Sequence, residues 1–324
     1  MPRTLRTALR ALLPALLLGP LLTLLGAPAA HAADNGEFAV YPAASQLGQR
    51  PYFYLAADPG GTLTDKVVLT NRTTGPLTFR LYGADAYNTA RDGGFAVRSA
   101  TERQRDVGAW TRPGLSRVTV PAGRSVTVPY TLTVPATAEP GDHVGALVAL
   151  DERVARTSGQ VAVGVQKAVG ARLYLRVSGP TVPALSVEDV TLRHSAPLVP
   201  GTGDSTAVLS YTLYNRGNVT LDPKVALRAE GLFGRTLLAR DLAGVPAELL
   251  PRQRIRLTAR WDGAPQLDRV SVSLTATAKD VSESARVSFL ALPWLAAGVL
   301  LAALLAALGA LLLRARRTRV LRAA

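Results

Sequence analysis

The chain has 324 residues, a formal net charge of +14 and no cysteine. Disulfides, thiolate metal sites and cysteine nucleophiles are therefore excluded, and an exported chain of this kind must be held by its core and sheets. Arg3, Arg6 and Arg10 and the five arginines after Leu313 account for +3 and +5 of the charge, leaving +6 between them. No basic stripe interleaved with aromatics appears, so no nucleic acid is expected as a partner. Lys66, Lys167, Lys224 and Lys279 are the only lysines among 37 basic residues. With the abundance of Ala, Gly, Pro and Leu, that reads as the codon bias of a GC-rich genome.

Residues 1–32 have the layout of a secretory signal peptide. Three arginines precede the apolar run Leu12–Leu25, and the small-x-small triplet Ala30-His31-Ala32 follows. Cleavage there leaves Ala33 as the first residue of the mature chain.

The ectodomain between the two terminal segments reads as β-strands. Val126, Val128, Tyr130, Leu132 and Val134 alternate with Ser125, Thr127, Pro129, Thr131 and Thr133, giving a strand with one buried face. Pro129 has no N–H to give a ladder, which suggests an edge strand or a bulge. Leu77, Phe79 and Leu81 alternate in the same way. Further strands are expected at 37–42, 52–57, 63–70, 116–120, 143–150, 160–166 and 171–178, with breaks at turn sequences such as Asp58-Pro59-Gly60-Gly61 and Pro121-Ala122-Gly123. Gly179-Pro180-Thr181-Val182-Pro183 reads as a linker. A second set follows at 185–193, 206–214, 224–229, 254–261, 268–278 and 283–288. Many short strands with Gly/Pro turns imply sandwiches. The expected fold is all-β, with two immunoglobulin-like sandwich domains in tandem over 33–180 and 181–288. An internal echo supports two similar units: Leu69-Thr70-Asn71-Arg72 returns as Leu213-Tyr214-Asn215-Arg216.

The segment 289–313 reads as one transmembrane helix, with the uncharged run Leu290–Leu313 long enough to span a bilayer core. Pro293 and Trp294 stand where an interfacial aromatic belongs, and the Arg-rich tail over 314–324 is cytoplasmic by the positive-inside rule. The lipid bilayer is therefore an expected partner through 290–313. The expected location is the plasma membrane, single-pass, with the ectodomain outside. Gly298, Ala302, Ala306 and Ala310 share one helix face, as small-xxx-small contacts between membrane helices do.

Phe38-Ala39-Val40-Tyr41-Pro42 with Tyr52-Phe53-Tyr54-Leu55, Pro59-Gly60-Gly61 with Val67-Val68-Leu69-Thr70-Asn71, Asp85-Ala86-Tyr87-Asn88 with Gly93-Gly94-Phe95, and Pro140–Gly145 occur in order over 38–150. In that order and spacing they resemble the WxL-interacting protein family. The resemblance implies a membrane-anchored surface protein facing the cell wall. Its first domain would bind peptidoglycan and its second would contact protein partners.

Sites of chemistry are sparse. After the leader only His143 and His194 remain, and no GxSxG, HExxH, Walker-type or EF-hand sequence occurs. Asp151 and Glu152 are adjacent, and neighbours on a strand point to opposite faces. The sequons Asn71-Arg72-Thr73 and Asn218-Val219-Thr220 are better read as turn asparagines. Trp110, between Gly108 and Pro113, either plugs the core or offers a sugar-stacking platform. No enzyme, catalytic residue, metal or cofactor is expected. Tyr87, Asn88 and Trp110 are the candidate wall-binding residues, with peptidoglycan or an anionic wall polymer as ligand and a surface protein as a possible second partner. The alternative is an export-side chaperone or assembly factor that pairs a strand edge with a surface protein.

Overall fold

The computed structural model describes residues 33–156, 164–292 and 294–323. The expected leader over 1–32 and the start of the strand expected over 160–166 lie outside the described residues.

Among the described residues alternating apolar residues build four larger sheets. The first runs β1 (Ala33–Asp34), β2 (Phe38–Pro42), β4, β9, β7, and the second runs β3 (Phe53–Ala57), β13, β10, β5, β6, with β8 also on β5. Here β4 is Thr62–Asn71, β5 Leu77–Asn88, β6 Phe95–Val97, β7 Thr111–Pro113, β8 Arg117–Val120, β9 Ser125–Thr133, β10 Gly141–Asp151 and β13 Ala168–Val177. A short hairpin of β11 (Ala155–Arg156) and β12 (Gly164–Val165) extends the β10–β13 pair, and the single-turn helix α1 is Val107–Trp110. The inner faces meet through Val67, Leu69, Tyr130 and Leu132 on one side and Phe79, Leu147, Leu173 and Leu175 on the other. Ring pairs tie the layers: Phe38 and Phe79 lie 4.7 Å apart, and Phe53 meets Tyr130 edge-on at 5.1 Å. Such pairs add about 0.5–1.5 kcal/mol beyond burial.

The second half has a sheet β14 (Leu185–Ser195), β15 (Thr206–Asn215), β18 and a sheet β17, β16, β19, β20. In it β16 is Lys224–Glu230, β17 Thr236–Asp241, β18 Arg254–Asp262, β19 Asp268–Ala278 and β20 Val281–Ala291. Leu209, Tyr211, Leu213, Leu257 and Trp261 pack against Val225, Leu227, Val272 and Leu274. The architecture is immunoglobulin-type β-sandwich, and its two large apolar clusters draw on Phe38–Val177 and on Leu185–Ala278.

Most expected strands occur within a few residues of their expected bounds. Short strands such as β6, β7 and β17 carried too little alternation to be seen in the sequence. Pro129 does not mark an edge strand, because β9 lies between β4 and β7. Within one residue the N and the C=O point to the same side of a strand. Gly114 N–H donates to Pro129 O at 2.8 Å, so the missing donor of Pro129 faces the β7 side, where the register with β7 ends at Pro113. The ladder to β4 is undisturbed.

The internal echo has a structural basis. Asn71 and Asn215 both end a strand and are fully buried. Asn71 Nδ2 donates to the carbonyls of Gly75 (2.8 Å) and Val120 (3.0 Å), while its Oδ1 accepts Thr73 N–H (2.9 Å). Asn215 Nδ2 donates to Val219 O (2.7 Å) and Leu249 O (3.0 Å), and its Oδ1 accepts Gly217 N–H (3.0 Å). One carboxamide thus satisfies a turn and a neighbouring strand that burial would otherwise leave short of partners.

Helix α2 (Trp294–Ala323) is the one helix among the described residues long and apolar enough to cross a membrane. Its window Ala297–Arg314 has a mean hydropathy of 2.2 and is not buried against the rest of the chain, unlike the core helix of a soluble protein.

Replacing Asn71 with Ala leaves buried carbonyls unpaired and should cost about 3 kcal/mol in urea unfolding of the first half's core. Arg72→Ala, which removes only a surface ion pair with Asp34, should cost under about 1 kcal/mol. Equal losses for the two would show that the carboxamide is not the lock.

Candidate functional site

Strand β13 is covered unevenly. Along its whole length it pairs antiparallel with β10, from Gly141↔Val177 to Leu150↔Ala168. On its other side β3 runs parallel and reaches only from Leu173↔Phe53 to Val177↔Ala57. Among the described residues no strand pairs with the outer side of Ala168–Arg172. Val169 and Ala171 turn into the core while Gly170 and Arg172 stay half-buried on the opposite face. At about 3.3 Å per residue this is an open edge of roughly 16 Å, a row of backbone donors and acceptors ready for an extended chain.

Both ends of that edge are marked. At one end Glu37 binds Lys167 and Arg153 (3.1 Å), and Arg153 also holds the buried Asp151 at 2.7 Å. The hydrogen bond from Lys167 is the main cause that lowers the Glu37 pKa. At the other end is an aromatic group on the outer face. Tyr54, 65% exposed, stacks on Tyr174 at 5.3 Å, and Tyr52 meets both edge-on at 6.1 and 5.7 Å. The Arg172 guanidinium lies over Phe95 at 4.1 Å and over Tyr52 at 5.5 Å. Burial pushes the Tyr174 pKa up, so its hydroxyl remains a neutral donor to Glu248 at 3.0 Å. Tyr52, Tyr54 and Phe95 stood in the motifs read from the sequence, but nothing there brought them together with Arg172 and Tyr174, whose alternation with Arg176 on β13 was the only sign of an outer face.

Glu248 comes from the second half, so the aromatic group is also part of the junction. Asn88 lies there and not on a binding face. It is buried, its Nδ2 donates to Gly93 O and to Glu248 O (both 2.7 Å), and its Oδ1 accepts Leu250 N–H (2.9 Å). A Cβ on Gly93, at φ +70°, would come within 2.9 Å of the Pro246 ring. A second contact is made by Asn218, whose Nδ2 donates to Pro140 O (2.7 Å) and Pro180 O (2.9 Å). Asp142 N–H donates to Asn218 O (2.7 Å), and Thr220 N–H to Asp142 Oδ2 (2.7 Å). The Gly179–Pro183 segment, expected as a linker, is bridged on both sides.

Tyr87 lies under the Arg98 guanidinium at 5.8 Å. Trp110 ends α1, half-buried against the first core, with its ring 4.8 Å from that of His143. It lines a cleft of about 410 Å³ with Asp106, Glu139, Pro140, His143, Asn218 and Arg252. The loop bearing α1 is fixed by the buried Asp85, whose carboxylate accepts N–H groups of Arg105 (2.6 Å) and Gly108 (2.7 Å). The three expected wall-binding residues thus have separate surroundings, and Asn88 has no free polar group. His143 is held between Asp106 Oδ1 (2.6 Å) and Glu139 O (2.9 Å), and no hydroxyl is among its hydrogen-bond partners. His194 stacks on Phe289 at 4.7 Å.

No family model and no curated protein matches the chain. Among solved structures it is similar to a chaperone–tip adhesin complex of CFA/I fimbriae, at 12% identity over 79% of this chain and 99% of that one, with a TM-score of 0.34. It is similar to the chaperone–tip adhesion subunit pre-assembly complex of the archaic Csu pili of Acinetobacter baumannii, at 10% identity over 68% and 89%, with a TM-score of 0.35. It is also similar to a Salmonella enterica complex of the SafA pilin with the SafB chaperone, at 8% identity over 80% and 100%, with a TM-score of 0.33. At these scores the likeness carries no argument about what this chain binds.

The resemblance to the WxL-interacting proteins does not hold, since no family model matches the chain. The peptidoglycan ligand and wall-binding role inferred from it fall with it. The motifs that suggested the family are what a sandwich itself requires: Pro59-Gly60-Gly61 is a turn, Asn71 locks a turn, and Asn88 locks the junction.

Both partners of His143 are acceptors, so both bonds exist together only when the ring is doubly protonated. Burial opposes that charge, but the bond and charge of Asp106, the Glu139 carbonyl and Asp142 outweigh it and raise the pKa above the usual 6.5. The contribution to stability is therefore complete below pH 6.5 and lost as pH rises through the raised value. The thermal midpoint of the wild type should fall between pH 6 and pH 9 by more than that of His143→Gln. Parallel pH profiles would contradict this.

Proposed function

We propose that the chain is a noncatalytic, membrane-anchored assembly factor that holds a surface protein by pairing a strand edge with an extended segment of it. The observation that carries the reading is the open outer side of Ala168–Arg172, left bare because pairing with β3 begins only at Leu173. An unpaired edge is normally short, charged or covered. This one has polar markers only at its ends and the exposed Tyr54 beside it. Main-chain bonds would supply affinity, and the aromatic group would select side chains of the bound segment.

In this reading 33–180 and 181–288 are two sandwich units, the first carrying the edge and the second setting its orientation through Glu248. Helix α2 spans the plasma membrane, with the ectodomain outside and the Arg-rich tail inside. A diffusing chaperone needs no anchor, so the tethered form suits retention of a client at the membrane surface.

Photo-crosslinking on intact cells tests the pairing. Benzoylphenylalanine is placed at Ala168 in one variant and at Arg172 in another, and the adducts are sequenced by mass spectrometry. Strand pairing requires that the two probes mark one segment of one protein at points about four residues apart, since paired strands advance together. Adducts scattered over unrelated sequences, or none at either position, would refute it.

A further inference from the structure

The second half has two ends, and one of them is unusually apolar. The strand register places Ser195, Thr206 and Asp262 together on one sheet; on the other it sets Asp268 opposite Ala291, with Glu230 opposite Ser271 near the same end. Three loops emerge there: 196–205, the Leu232–Gly234 turn and 263–267. Their tips carry Leu198 (73% exposed), Phe233 (fully exposed) and Leu267 (67% exposed), joined by Leu232 and by Leu290 of β20. Single exposed apolar residues need no account, but five converging on one end of a sandwich make a surface.

Phe233 stands out further. Its φ of 60° and ψ of 24° are left-handed, a conformation that costs a bulky residue energy and that glycine would adopt freely. The turn is held all the same. Asp268 accepts Leu232 N–H at 2.9 Å and pairs with Arg235 at 3.2 Å. The neighbouring loops are tied in turn: Gly201 N–H donates to Gln266 Oε1 (2.7 Å) and Gln266 Nε2 to Gly203 O (2.8 Å). These are apolar tips on braced loops.

Chain continuity identifies what covers them. β20 ends at Ala291 in this same end, and α2 begins at Trp294. We infer that the ring of Leu198, Leu232, Phe233, Leu267 and Leu290 dips into the outer leaflet of the bilayer that α2 spans. The second half then stands on the membrane by three loops and a helix, and does not swing on a single tether. Amphipathic surfaces of this kind bury their apolar side at the headgroup boundary. The inference rests on α2 being a membrane span.

The absence of cysteine makes the test direct. Full-length Phe233→Cys, Leu267→Cys, Leu47→Cys and Leu304→Cys are labelled with an environment-sensitive fluorophore and placed in phosphatidylcholine–phosphatidylglycerol nanodiscs. Leu47 is a fully exposed residue of the first half, and Leu304 lies in α2. Expected are blue-shifted emission and loss of intensity with spin-labelled lipid at 233, 267 and 304, and quenching only by aqueous iodide at 47. If 304 reports lipid while 233 and 267 respond only to iodide, the anchor stands and the docked ring is wrong. Protection of 233 and 267 from both quenchers means that protein, such as a second copy, covers the tips, and also overturns it. If 304 itself fails to report lipid, the reading of α2 fails and the inference with it.

Discussion

The structure depends on buried carboxamides. A chain without cysteine has no covalent staple for the places where strands end and loops cross. Here asparagine takes that role, buried at Asn71, Asn88 and Asn215 and half-buried at Asn218. Each offers two N–H donors and an acceptor, so each can close two carbonyls and one amide at a single point. The arrangement is directional where apolar packing is not. It fixes which turn meets which strand, and in Asn88 it joins parts of the chain that are far apart in sequence.

That constraint positions the open edge. Because Asn88 and Asn218 dock the second half against the first, Glu248 arrives beside Arg172 and Tyr174. Without Glu248 the Arg172 guanidinium would still have its aromatic neighbours but no carboxylate. With it, the Tyr54–Tyr174–Tyr52 group is held at the end of the bare stretch of β13. The edge is therefore not only unpaired but bounded, by a charged cluster at Lys167 and an aromatic one at Tyr174. The crowding at Gly141 makes the same point about the join. A Cβ there would lie 2.2 Å from Asn218 O, so the close approach of the two halves is written into the sequence as a glycine at φ +123°.

Much of the fold was legible, and for a specific reason. Long strands such as β9 and β18 keep strict alternation, and alternation is the direct consequence of having one face buried. The asparagine echo was legible too, though its meaning was not: sequence shows that Asn71 and Asn215 end strands, not that they are buried and reach Val120 and Leu249. The candidate site was largely hidden. An open edge is a lack of pairing, and no residue type announces where β3 begins to pair with β13. Tyr87, Asn88 and Trp110 drew notice because polar and aromatic residues in loops often bind ligands. Asn88 instead satisfies Glu248 O and Leu250 N–H, partners from elsewhere in the chain that only the folded topology brings near.

The same register that defines the apolar end also sets a distance. Leu185, Asn215, Arg254 and Val281 lie at the junction end of the second half, and Ser195, Thr206, Asp262 and Ala291 at the end leading to α2. β20 spans 11 residues between these ends, roughly 36 Å at the usual rise. If the second half stands on the bilayer, the open edge of β13 is carried about that far from the lipid. The height would not vary freely, because the junction is bridged on both sides and the lower loops are braced by Asp268 and Gln266. A segment emerging beside the anchor would then have to extend over roughly ten residues before reaching the edge. On the proposed reading the second half is more than a spacer: its strand length would select which part of a membrane-proximal client can pair.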